Sequence, residues 1–507
     1  GGGITILSLV FPSTSPQDVD SGTFRGDDEI FVSGVATHAD GRWDAFAGCG
    51  FEGHSHARLK RSFRLSFKGQ TYVESSWDTS FLSSQVDDVF PPAVAVSLAL
   101  AETTQHLGRS AVSTIDRLVL RAGNNRAWSR CWNPTTSTYT RDEFARRLQC
   151  RLSGYCAVGA FTALFLNGHY WGLYNGVVRP DEKFASALWQ DGDSDDYCAV
   201  SHGGVQAAGD GGSSCERYQY TTGPLLSQNM ANPASYALLT QHLDIDGFID
   251  YLLVHFFMGT VDWPTNNWWA TQAPTAGLLH FYVWDNEWAL GPTSKGSSSG
   301  AWVHPSFRAG SSGDGSVVAR LFVAARASST FVQRFGDRAQ AAADGQMSTA
   351  AAHDLWDELC ALVRDAIVGE EARWGSSVAN VGRTRENTFD PECATVRGYL
   401  TGNGQRLLDA LRSEGYYPSV DPVTLDDSRY YGVATGDDTV SLTLPAGAAT
   451  ISGTVNGLPA GATTLTLAGR LTYDVVVRAV SGGGVESAAR RRRYVRAGGM
   501  AQLRLTE

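Results

Sequence analysis

At 507 residues the chain is too long for one compact core, so a large domain with an appendage, or two to three units, is expected. An apolar fraction of 43% with 18% charged residues excludes wholesale disorder, and a net charge of −11 argues against electrostatic capture of nucleic acid or anionic membranes. The best candidate for a membrane span, Phe248–Met258, is too short and is interrupted by Asp250 and His255.

Along the chain, residues 1 to about 120 alternate apolar and polar positions between Gly-rich turns. Phe63-Arg64-Leu65-Ser66-Phe67 has the period of two of a half-buried strand. Thr140-Arg141-Asp142-Glu143 predicts a helix start, with Thr140 as cap and Glu143 as its capping-box partner. Ala163–Leu166, Asn167-Gly168 and Tyr170–Tyr174 predict a strand, a tight turn and a returning strand. A helix is expected over Asp244–Met258, a buried strand over Leu278–Trp284 and a helix over 350–368. Past Tyr416-Tyr417-Pro418, short Thr/Val-rich runs between Gly and Pro turns predict a β-sandwich of roughly 80 residues. The basic run Arg490–Arg493 reads as a solvated strand edge, with an anionic-ligand patch as the other reading.

The eight cysteines include no Cys-x-x-Cys pair, so neither a zinc ribbon nor a thioredoxin-type site is indicated. Their even number and scattered spacing fit an exported protein with at least two disulfides; unpaired buried thiols in a cytosolic protein are the alternative. Cys150–Cys156 and Cys198–Cys215 are the local pairs. The start, Gly1-Gly2-Gly3 without Met, fits either a removed leader or a trimmed end.

The densest chemistry lies in Val261-Asp262-Trp263-Pro264-Thr265-Asn266-Asn267-Trp268-Trp269 and Phe281-Tyr282-Val283-Trp284-Asp285-Asn286-Glu287. A helix runs into a Pro-stiffened loop that displays Asp262 and Asn267; a buried strand then ends in Asp285. Protein kinases hold a catalytic carboxylate and two metal ligands in this order. Phosphoryl transfer needs hard oxygens for Mg²⁺ and a carboxylate beside the attacking hydroxyl. The bland reading makes Asp262 a turn cap and Asn266 and Asn267 partners of loop backbone. His54 and His56 read as surface or core residues, and Gly296-Ser297-Ser298-Ser299-Gly300 as a flexible loop rather than a hydrolase elbow.

Four stretches, in order, resemble the spore-coat protein H (CotH) kinase family. They are Gly53-His54-Ser55 with Lys60–Phe67, Leu118–Asn125 continuing into Arg141–Phe144, Leu166–Tyr174, and the Asp262/Asn267/Asp285 block. The resemblance implies an atypical protein-kinase-like body that binds ATP with Mg²⁺ or Mn²⁺ and phosphorylates protein hydroxyls. By position, Asp262 is the catalytic carboxylate, and Asn267 and Asp285 are metal ligands. Lys60, Arg61 and Arg64 are the candidates for the nucleotide phosphates, Lys60 and Arg64 on one strand face and Arg61 on the other. Gly48-Cys49-Gly50-Phe51-Glu52-Gly53 precedes them as a possible glycine turn. One departure stands out: Val178 occupies the place of a family Glu, with Arg179 and Asp181 kept. Either Asp181 or Glu182 compensates, or the site is weakened towards a pseudokinase. If Val178 faces the site, Val178→Glu raises activity; if it faces the core, the same change destabilises the fold.

The expected fold class is therefore α+β, with a kinase-like domain over residues 1–415, β-rich first and more helical later, and a β-sandwich over 420–507. The expected function is ATP-dependent phosphorylation of Ser or Thr in surface or secreted proteins. The alternative is a pseudokinase, or a cell-surface adhesion or structural protein that uses the kinase-like body and β-sandwich as binding surfaces; the Trp-rich loop of Trp263, Trp268 and Trp269 is compatible with either.

Overall fold

The structure, a computed structural model, describes residues 4–10, 30–37, 43–53, 60–66, 71–75, 117–123, 126–129, 136–190, 192–207, 215–273, 277–293, 296–298, 300–376, 382–425, 433–434, 438–455, 458–459, 464–467 and 472–496. His54 and His56 lie outside these residues.

The first part is built from strands β1 (Thr5–Val10), β2 (Ile30–Thr37), β3 (Trp43–Gly53), β4 (Phe63–Ser66), β5 (Thr71–Ser75) and β6 (Arg117–Arg121). After helix α1 (Arg141–Ser153) come β7 (Gly159–Leu166) and β8 (His169–Val178). The eight strands pair in the order β2-β1-β7-β8-β6-β4-β3-β5, and β2 also pairs with β3. That extra pairing closes the sheet on itself and leaves β5 outside the ring. All pairings are antiparallel except β1 with β7. Asn167 and Gly168 both have positive φ, so the β7–β8 hairpin turns as the Asn-Gly pair predicts.

The chain then becomes more helical. It carries α2 (Glu182–Trp189), β9 (Cys198–Ser201), β10 (Gly204–Ala207), α3 (Glu216–Thr222), α4 (Pro233–Leu239) and α5 (Ile245–Met258). Next are β11 (Trp268–Gln272), β12 (His280–Val283) and a short antiparallel pair, β13 (Gly291–Thr293) with β14 (Gly296–Ser298). A second sheet has the order β10-β9-β11-β12. Helices α6 (Val317–Ala325), α7 (Ser329–Asp344), α8 (Thr349–Arg364), α9 (Ile367–Trp374), α10 (Asp390–Leu400) and α11 (Asn403–Ser413) complete this part. One continuous apolar core runs through both parts, from Leu7 to Tyr417, and takes in Ala488 near the end of the chain. Helix α5 is buried on nearly every side, which explains why its sequence is apolar all round rather than striped. Among the described residues no helix is long and apolar enough to cross a membrane.

The last part holds β15 (Thr424–Leu425), β16 (Val433–Ala434), β17 (Asp438–Thr443), β18 (Ala448–Val455), β19 (Leu458–Pro459), β20 (Thr464–Leu467), β21 (Thr472–Ser481) and β22 (Arg490–Arg496). They form two sheets, β15-β17-β20 and β16-β22-β21-β18-β19. Leu442 from the first sheet and Val475, Val477 and Ala479 from the second share a small core with Val423. Asp337 on α7 ties these sheets to the helices, accepting hydrogen bonds from Arg478 and from the Ala489 backbone N–H.

Several local expectations are corrected. Thr140 precedes α1 but makes no side-chain cap: its hydroxyl donates to Thr138 Oγ1, and Glu143 pairs with Arg146 and Arg147. The helix expected over 350–368 is two helices, α8 and α9, separated at Asp365-Ala366. Gly296–Ser298 is a strand rather than a loop, and Ser299 lies outside the described residues. The basic run starts β22 as a solvated strand edge: Arg490–Arg493 pair with β21 alone and Arg491–Arg493 are exposed, while β16 joins only Val495 and Arg496. Both expected disulfides, Cys150–Cys156 and Cys198–Cys215, are formed.

Val178 pairs with Leu118 and is 1% exposed within the main core. Asp181 caps α2 and meets Arg117, which Glu182 also approaches. Neither substitutes for a carboxylate at position 178. Val178→Glu is therefore expected to lower stability by roughly 2–4 kcal/mol in a melting curve, with no gain in activity, because it buries a charge among apolar side chains.

Candidate active site

Helix α5 ends at Gly259, a left-handed C-cap, and the chain turns outward. Trp263 anchors that turn. It stacks on His255 with ring centroids 4.2 Å apart and on Phe307 at 4.7 Å, and its indole N–H donates to Tyr251 Oη over 2.7 Å. Asp262 is held from two sides: Asn266 Nδ2 donates to its Oδ1 over 3.2 Å, and Asn267 Nδ2 donates to its carbonyl oxygen over 2.9 Å. Asn267 has φ +62°, which asparagine tolerates better than most residues. Strand β11 follows at once and pairs with β12, Trp268 facing Val283. That register sets Asn267 and Asp285 at the same end of the strand pair. Asp285, also left-handed at φ +61°, leaves β12 there.

A guanidinium organises the carboxylates around Asp285. Arg121, the last residue of β6, contacts Asp285 Oδ1, Glu287 Oε1 at 3.2 Å and Asp142 Oδ2 at 3.2 Å. Burial opposes the charge of Arg121, but Asp285, Asp142 and Glu287 outweigh it and raise its pKa. Asp142 also accepts the Asn286 backbone N–H over 2.8 Å, which pins the strand end to α1. Burial opposes the ionisation of Asp142 as well, yet Arg146 and Arg121 hold its carboxyl below the usual range. Asp285 differs. Burial pushes its pKa up, Arg121 pulls it back, and the charges of Asp142 and Asp262 push it up again, leaving it raised. Asp262 is thus near enough for its charge to act on Asp285. Among the described residues, no group of three or more His, Cys, Asp or Glu side chains is placed to hold a metal ion.

Lys60 is fully buried, in a bend before β4. Its ammonium donates to Glu370 Oε1 over 2.6 Å and to the Leu173 carbonyl over 2.5 Å, and lies 4.7 Å from the Tyr174 ring centroid. Burial lowers its pKa, and Glu370 acts the other way. Glu370, on α9, also accepts the Leu173 backbone N–H over 2.8 Å. A buried Lys–Glu pair is a recurring part of kinase sites. Gly172, at φ +145°, makes room for it: a Cβ there would lie 2.8 Å from both Glu370 Oε2 and Lys60 Cε.

The other expected phosphate contacts are scattered. Lys60 precedes the strand, so the two-residue period does not place it on a face with Arg64. Arg61 is 8% exposed, and its carbonyl accepts Tyr174 Oη. Arg64 is half-buried on β4, opposite Phe63 and Leu65, and its charge acts on Arg179. Gly48–Gly53 lies within β3 and is extended backbone, not a turn. Trp263, Trp268 and Trp269 are 2%, 4% and 7% exposed, so they offer no adhesive surface. Arg121, Asp142 and Glu370 escaped assignment from sequence. The first two lay inside a stretch quoted only for its resemblance; Glu370 carried no signal.

The model of a family described as CotH kinase protein matches residues 132–402, just over half of the chain, and takes in Asp262, Asn267, Asp285 and Glu370 but not Lys60. A search of curated proteins found no match.

Proposed function

Because the chain belongs to the CotH kinase family, we propose that it transfers the γ-phosphoryl group of ATP to Ser or Thr hydroxyls of surface or secreted proteins, with Mg²⁺ or Mn²⁺. The observation that carries this reading is the placement of Asn267 and Asp285 at one end of the β11–β12 pair, with Asp262 tied to Asn267 through its carbonyl oxygen. In this reading the main body is an atypical kinase-like domain and the two C-terminal sheets are a β-sandwich appendage. Two disulfides support an extracytoplasmic location.

The donor set fits a hard divalent cation. Asp285 is pressed by burial and by two neighbouring carboxylates, a strain that a cation relieves. Asn267 has its amide N–H engaged by the Asp262 carbonyl, which turns attention to Oδ1 as a neutral ligand oxygen. Asp285 and Asn267 would hold the metal, which neutralises charge on the phosphates when bound. Asp262 accepts or orients the proton of the attacking hydroxyl. Arg121 fixes the rotamer of Asp285 through one carboxylate oxygen and leaves the other to a ligand. The Lys60–Glu370 pair braces β8 at Leu173.

The Arg121–Asp285 contact also supports a second reading, a pseudokinase, since it occupies an oxygen that a metal competes for. Labelled phosphate transfer from ATP, compared between the wild type and Asp285→Ala, separates the two. The proposal expects a loss of about 10²–10³-fold in the variant. Equal signal from both ends the catalytic reading; no signal from either, with nucleotide binding retained, favours the pseudokinase.

A further inference from the structure

The pocket beside Asp142 and Glu287 is lined by three arginines, Arg121, Arg126 and Arg141. Their neutralisation is uneven. Arg121 faces three carboxylates. Arg141 is paired with Glu392 and also donates to the Thr136 carbonyl over 2.6 Å. Arg126 is 4% exposed and, among the described residues, forms no ion pair. Its hydrogen bonds go to Thr136, to Oγ1 over 2.8 Å and to the carbonyl oxygen over 3.5 Å, and its buried Nε has no partner. Arg126 and Arg141 also converge: a Cβ on Gly291 would lie 3.6 Å from Arg126 Nη1 and 3.7 Å from Arg141 Nη2. Glu392 is in ion-pair contact with Arg141 and, among the described residues, no carboxylate is in such contact with Arg126.

A buried guanidinium beside another cation is held at a free-energy cost unless an anion joins it. Burial and Arg141 both act against its charge, and the more distant Glu392 and Glu287 recover only part, so its pKa is lowered. The fork of N–H donors suits phosphate oxygens better than a point charge does. Arg126 also has the right address. It leaves the turn that follows β6, five residues after Arg121, its backbone N–H donating to the Gly123 carbonyl. It lines the same pocket as Asp142 and Glu287, the carboxylates that share Arg121 with Asp285.

We infer that Arg126 anchors an anion subsite that takes a phosphate group of the nucleotide, in place of the role expected of Arg61 and Arg64. The inference rests on the kinase reading only for the word nucleotide; the anion site stands on the unpaired guanidinium.

The test uses the full chain, with inorganic tripolyphosphate, orthophosphate and ATP as probes in thermal-shift and calorimetric titrations. Tripolyphosphate is expected to raise the melting temperature of the wild type. Arg126→Gln is expected to fold, because it removes an uncompensated charge, and to weaken tripolyphosphate and ATP binding by about tenfold or more. Arg126→Lys is expected to recover part of that loss. No shift in the wild type, or an unchanged dissociation constant in Arg126→Gln, overturns the assignment. Should Arg126→Gln not fold, an Arg126→Lys affinity equal to wild type overturns it instead. Orthophosphate binding as tightly as tripolyphosphate overturns the nucleotide part. Tripolyphosphate binding that depends on Arg126 in a chain that transfers no phosphate leaves the site standing and removes the kinase reading; transfer by the wild type with unchanged binding in the variant does the reverse.

Discussion

Lys60→Met is expected to lower stability by about 3–5 kcal/mol, because it leaves Glu370 as a buried carboxylate without its counter-charge. Both side chains are fully buried, and the salt bridge is 2.6 Å long. Glu370 would keep two neutral partners, the Leu173 backbone N–H and the Tyr139 hydroxyl. The pair joins the bend before β4 to helix α9 across most of the chain. Denaturant titration of Lys60→Met, Glu370→Gln and the double variant is the check. The double variant should recover much of the loss, since no unpaired charge then remains. A cost below about 1 kcal/mol for Lys60→Met would contradict the burial of the pair.

Arg121→Met should be comparably damaging, and its effect should depend on pH. It removes one counter-charge from Asp142, Asp285 and Glu287 together, Asp142 keeping Arg146, at a cost of about 3–5 kcal/mol near neutrality. The sign follows from the two shifted carboxyls. Asp142 has a lowered pKa, so the stability it contributes is present above its unfolded value and is lost as pH falls through the folded value. Asp285 has a raised pKa, so its ionised form costs stability above the folded value, and that cost disappears as pH falls below the unfolded one. Without Arg121 both pKa values move upward, and the ionised forms are penalised most at neutral pH. The gap in melting temperature between Arg121→Met and the wild type is therefore expected to be widest near pH 7 and to narrow towards pH 4. A gap that widens on acidification would contradict this assignment.

Local signals in the sequence carried the site's centre. Gly259 stops α5, Asp262 and Asn267 share the loop that follows, and Asp285 closes the next strand; these positions are close along the chain, so local rules place them. The Asn167-Gly168 turn and the two short-range disulfides were legible for the same reason. What escaped was long-range. Glu370 is 310 residues from Lys60, and no periodicity links a glutamate on a late helix to a lysine in an early bend. The role of Arg121 depends on three carboxylates from two other parts of the chain. Strand boundaries also misled: β4 begins at Phe63, so alternation could not be extended back to Lys60. Glu143 was read through local capping, but tertiary ion pairing claimed it. The tryptophans beside Asp262 were compatible with either function in the sequence, and they are buried.

The most direct test of the central claim is single-turnover transfer of labelled γ-phosphate from ATP with Mn²⁺ by the wild type and by Asp262→Asn, with the affinity for Mn²⁺–ATP measured alongside. Asp262 is assigned to the hydroxyl proton and not to the metal. Transfer should fall by roughly 10²–10⁴-fold while nucleotide and metal affinity stay unchanged. A variant that transfers phosphate at the wild-type rate would contradict the account.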